Sequence, residues 1–171
     1  MKRFIVVFDN EPSETESAPW VPSACSAARL TFVDNDAIAT EISENKEARK
    51  ALLESGVPPG DPKLAPYYKA ALEKVAAGQQ RLALYSTNWL TYLGQVDGCV
   101  LDFSRLEEQR ALGISQGVDP KAAEAYVIKF SNQQRNKARK HLAADRILEL
   151  PSQESAPKKA ELVAAFVKKL G

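Results

Sequence analysis

The stretch RLTFVDNDAIATEI, residues 29–42, decides what kind of sheet the chain can build. Arg29 to Val33 is β-branched and aromatic, and reads as a strand. Asp34-Asn35-Asp36 then permits two continuations. It can turn a hairpin into a further strand at 37–42, because Ile38, Thr40 and Ile42 alternate with a period of two. Or Asp36 can cap a helix running from Ala37 to Ser55. The run of β-branched residues favours the hairpin. With residues 3–8 (RFIVVF) as a strand apolar on both faces, the hairpin gives a small antiparallel N-terminal sheet.

Working outward, residues 9–28 hold Pro12, Pro19 and Pro22 among serines and threonines, and read as an irregular loop. Loops of this length in a compact domain are usually functional or disordered, and Trp20 and Val21 are its candidate anchors, packing on the protein's own surface or on a neighbouring subunit. Beyond residue 44 the reading is helical. One helix stops at Gly56, before Pro58-Pro59-Gly60. Tyr68, Leu72, Val75, Leu82, Trp89 and Leu93 follow a helical period from Pro66, with Gly78 splitting the run into 66–77 and 79–93. CVLDF (99–103) reads as strand or helix. Ser104 and Glu107 form a capping box, and Asp119-Pro120 opens a long helix that ends by Leu150-Pro151. PSQESAP is a linker, and 157–170 is an amphipathic helix with the stripe Leu162, Val163, Phe166, Val167 and Leu170. The expected fold is α+β and helix-dominated: a domain over 1–150, then a linker and docking helix over 151–171.

Composition narrows the classes. The chain has 171 residues, 44% hydrophobic and 26% charged, which supports one domain with a real core. A net charge of +1 supplies no global attraction to nucleic acid or membrane. No run approaches the length of a membrane span, and Phe4–Phe8 is too short for the core of a signal peptide. Two cysteines, Cys25 and Cys99, make no disulfide framework, so an intracellular setting, or a particle assembled there, is expected.

Tests for chemistry come back negative. Asp34 and Asp36 stand one residue apart and could hold a divalent cation, but they are also preferred turn and cap residues. There is no phosphate loop, nucleophile elbow or HExxH zinc motif, and a single histidine, His141, makes a zinc site improbable. No cofactor, metal or catalytic residue is assigned. Around Gly117 a helix-turn-helix fits only weakly, through Gly113 and Ala123.

The segment 129–146 concentrates six bases against one acid. On a helical wheel at about 100° per residue, Lys121, Arg135, Arg139 and Arg146 fall within about 40° of one another, a row that could track phosphates. On the other side, Gln134, Lys137 and His141 lie on the face led by Phe130, where a core helix would be apolar. A helix that turns polar on its inner face either projects beyond the domain for those turns or packs its middle against something polar. The partner-contact candidates are therefore Trp20, Val21, Gln134, Lys137, His141, Phe166 and Leu170. The expected function is that of a non-enzymatic structural or interaction protein in a larger assembly, with a protein partner or a second copy; a phage or viral particle is one natural setting. The alternatives are a nucleic-acid-binding accessory protein using Lys121, Arg135, Arg139 and Arg146, and an enzyme built from dispersed carboxylates.

Overall fold

A computed structural model describes residues 3–9, 18–56, 61–86 and 89–171. Five strands form one sheet: β1 (Phe4–Phe8), β2 (Thr31–Val33), β3 (Arg81–Tyr85), β4 (Gly98–Asp102) and β5 (Ile147–Leu150). The order is β2-β3-β1-β4-β5, and every pairing is parallel. The fold is a Rossmann-like α/β arrangement, and the antiparallel N-terminal sheet expected from the sequence is overturned.

The error began in residues 29–42. Residues 37–42 are helical, within α2 (Asn35–Glu44), and the cap is Asp34, whose carboxylate accepts the Asp36 amide at 3.0 Å. Ile38 is buried and Ile42 half-buried, one helical turn apart, while Thr40 is exposed. The apparent alternation was an i, i+4 pair seen with a threonine between. The parallel partner of β2 is β3, which lay hidden in the stretch read as helix 79–93. Leu82, Ala83, Leu84 and Tyr85 are all buried. A strand covered on both faces is apolar throughout, so it carries no period of two to set it apart from a helix. β5, a four-residue edge strand with Glu149 exposed, was hidden differently, in the stretch read as the end of the basic helix.

The remaining helices follow the sheet's two faces. Alternate strand residues feed two cores. Val7, Leu82, Leu84, Cys99 and Leu101 face α2, α4 (Ala65–Val75), the short α5 (Trp89–Tyr92) and the inner faces of α6 (Ser104–Ser115) and α7 (Pro120–His141). Val6, Phe8, Ala83, Tyr85 and Val100 face α1 (Val21–Ala28) and α8 (Ala156–Leu170). α3 (Lys46–Ser55) stops at Gly56, which is in the left-handed region at φ 56°. Residues 57–60, with Pro58-Pro59-Gly60, and most of the expected loop, 10–17, lie outside the described residues. The end of that loop is helical: α1 begins at Val21, with Pro22 in its first turn.

Two consequences bear on function. α8 is part of the core: Val163, Phe166 and Val167 are buried, and its end crosses β4 so closely that a Cβ on Gly98 would stand 2.5 Å from a Leu170 methyl. Cys25 and Cys99 are free and buried on opposite faces of the sheet. Burial pushes the Cys25 thiol up to about 12 and the Cys99 thiol higher still, so neither is a reactive thiolate near neutral pH. No helix among the described residues is long and apolar enough to cross a membrane.

Candidate functional site

In an all-parallel sheet every carboxyl end lies on one edge. Ligands of open α/β sheets sit outside that edge, where successive connections leave to opposite faces. Here the switch is at β1. The chain leaves β1 for the α1 face, but leaves its neighbours β3 and β4 for the opposite one. The residues at these three strand ends are polar and buried.

Asp9 follows β1 directly and is fully buried. Its amide donates to Val100 O at 2.9 Å, which fixes it at the strand tip. Oδ2 accepts the Trp89 indole N–H at 2.8 Å and faces the Lys137 ammonium at 2.5 Å. Oδ1 has no hydrogen-bond partner. Desolvation raises the Asp9 pKa, although Lys137 and the Trp89 hydrogen bond pull it down.

Two more buried atoms at this edge are unpartnered: the Tyr68 hydroxyl and Gln134 Oε1. Tyr68 stacks on Tyr92 with ring centroids 4.0 Å apart. Burial pushes its pKa up to about 12; Ser86, at the end of β3, is near enough to oppose that rise without forming a full hydrogen bond. Gln134 lies one turn before Lys137 on α7. An unpartnered buried polar group costs about 1–3 kcal/mol, so three at one edge set it apart from an ordinary core.

At the end of β4, Asp102 is satisfied. It accepts the Trp20 indole N–H at 2.9 Å, the Ser104 amide at 3.0 Å and the Ser104 hydroxyl, and binds the buried Lys159 ammonium at 3.0 and 3.1 Å. Lys159 also reaches the Ser104 hydroxyl. Two aspartates thus hold α7 and α8 to the strand tips through lysines. The two carboxylates sit at neighbouring strand tips but on opposite faces of the sheet, each with its own cation. No group of three potential metal ligands occurs among the described residues.

The residues singled out from sequence divide clearly. Lys137 pairs with Asp9, so the polar partner of that inner face includes the chain's own Asp9, and Gln134 is buried one turn earlier on α7. His141 is exposed and meets the edge of Trp89, centroids 6.5 Å apart. Trp20, Val21 and Phe166 are buried in this chain's core, and Leu170 packs beside it. The cation row is broken up. Arg135 binds Glu149 at 2.5 and 2.9 Å and lies over the Phe103 ring. Arg146 belongs to a turn after α7 and donates to Asp97 O at 3.1 Å. Lys121 and Arg139 remain on the exposed face. Sequence reasoning missed Asp9, Tyr68, Trp89, Asp102 and Lys159. A usable signal existed for the aspartates, since FIVVF and CVL both run directly into Asp, as buried parallel strands do at a site edge.

No protein-family model matches this sequence, and no curated protein matches it. Among solved structures the chain is similar to a gluconokinase from Sinorhizobium meliloti 1021, at 13% identity and TM-score 0.48, covering 98% of this chain and 93% of that one. It is also similar to an uncharacterized protein from Eubacterium ventriosum ATCC 27560, at 9% identity and TM-score 0.49, covering 98% of this chain and 99% of that one.

Proposed function

We propose that this chain is an interaction protein, and that the hairpin formed by α6 and α7 is the arm it offers to a protein partner within an assembly. One observation carries the reading. Of the five large hydrophobic side chains exposed among the described residues, four (Leu112, Val118, Tyr126 and Ile128) lie on this hairpin. The arm leaves the core quickly, for between Leu106 and Val127 only Ala123 is buried. At about 1.5 Å per residue, its tip stands roughly 12 Å beyond the last core contact.

The tip is built to hold its shape. Gly117 sits at φ 95°, Val118 N donates to Gly113 O at 2.9 Å, and Asp119 caps α7 by accepting the Ala122 amide at 2.9 Å. Val118 packs against Gly113, where a Cβ would lie 3.6 Å from a Val118 methyl. A rigid arm carrying exposed apolar side chains is the surface that partners select, because burying it costs little ordering entropy.

The test places a photo-crosslinking benzoylphenylalanine at Val118 in the full chain, in the cells that make it. The expected result is a discrete adduct, with another protein or a second copy, that is lost in a Leu112→Ser/Tyr126→Ser variant. An adduct no stronger than that from the same group at the exposed Lys168 overturns the reading.

A further inference from the structure

We propose that the carboxyl edge beside β1 and β3 is a binding site for a small uncharged ligand carrying hydroxyl or amide hydrogen-bond donors. This inference is independent of the hairpin. It rests on three side chains, each at least nine-tenths buried, that leave a polar atom unpartnered at one edge: Asp9 Oδ1, Gln134 Oε1 and the Tyr68 hydroxyl. Buried polar groups in native proteins are almost always bonded, and exceptions call for a ligand, water or functional account. The position is also the one that an α/β sheet reserves for ligands, at the switch point.

The donor set defines the ligand. Two of the open atoms are acceptors and the third is a hydroxyl, so the ligand must donate at least twice. Its charge follows from Asp9 and Lys137. That pair is already balanced at 2.5 Å, so an anion would meet the Asp9 carboxylate and a cation would add a second positive charge beside Lys137. An uncharged polyol or primary amide meets neither penalty. Trp89 keeps Asp9 oriented by holding Oδ2, which leaves Oδ1 as the atom presented. The Lys137 side chain that pairs with Asp9 is 21% exposed, so this end of the cluster lies next to solvent.

The competing occupant is fixed water, and two variants separate the cases. Gln134→Leu and Tyr68→Phe each remove one open atom and keep most of the volume. If the atoms await a ligand, the unliganded variants melt at the same temperature as the parent chain or higher, since groups kept for binding are retained against stability. Calorimetric titration of the full chain with myo-inositol, erythritol and acetamide, with ethylamine and inorganic phosphate as charged probes, supplies the other arm. The expected result is saturable binding of a polyol or of acetamide, weakened at least tenfold in each variant. A polyol alone would identify the hydroxyl class, and acetamide alone the amide class. The proposal is overturned if both variants melt about 3 °C or more lower without ligand, if no uncharged probe binds, or if only phosphate or ethylamine binds.

Discussion

Replacing Lys137 with methionine is expected to destabilise the chain by about 3–5 kcal/mol at neutral pH, and by progressively less as the pH falls. The substitution keeps most of the stem's packing and removes the ammonium. Asp9 is left fully buried, with only the Trp89 N–H on its charged oxygen. The pH dependence follows from the direction of the Asp9 shift. Burial holds its folded pKa above the unfolded value of 3.8 even with Lys137 in place. The native state therefore binds this proton more tightly than the unfolded chain does. The contribution favours the fold below the ordinary carboxylate range and is lost as the pH rises through the folded pKa. Lys137 is one of the groups lowering that pKa, so its removal lifts it further and widens the window in which an ionised Asp9 opposes folding. Urea denaturation of the parent and variant chains from pH 7.5 down to pH 4 should show the two stabilities converging. A loss that does not change with pH would place the effect in the lysine's stem rather than its charge. Asp9→Asn should cost less, because asparagine still accepts from Trp89 and the partly exposed Lys137 can turn to water.

The same residues show what a sequence reading can reach. Gln134 and Lys137 stood out because a helix's inner face turned polar, and that irregularity was real. Its cause was not legible, because Asp9 is about 130 residues away in sequence and only the sheet's register brings it near. The strands were readable where they stood alone, as at 3–8, and unreadable where apolar residues continued into helical ones, as at 81–85 and 147–150. Once β3 was read as helix, β2 lacked its parallel partner, and the hairpin at 37–42 became the only way to complete a sheet. The basic row failed for a related reason. It assumed a helix continuing to Leu148, whereas α7 ends at His141 and Arg146 sits in the turn before β5.

Asp102→Asn should be the more damaging of the two aspartate substitutions, again on the order of 3–5 kcal/mol and clearly above Asp9→Asn. Asp102 accepts from the Trp20 indole, the Ser104 amide and hydroxyl, and the Lys159 ammonium. An amide replaces one acceptor oxygen with an N–H group, so at least one of these donors meets another donor. The Lys159 side chain is only 5% exposed, compared with 21% for Lys137, so its ammonium stays buried beside a neutral group. Because Trp20 leads into α1, and Lys159 lies on α8, the loss should loosen both helices on that face of the sheet. Hydrogen exchange should quicken in α1 and α8 more than in α4. Pairing Asp102→Asn with Lys159→Met should recover part of the loss, since the stranded charge goes with the lysine and a methionine fills much of its space. If Asp102→Asn costs no more than Asp9→Asn, or the double variant recovers nothing, the lysine's burial is not what makes this pair costly to break. The donors around Asp102 would then have found other partners.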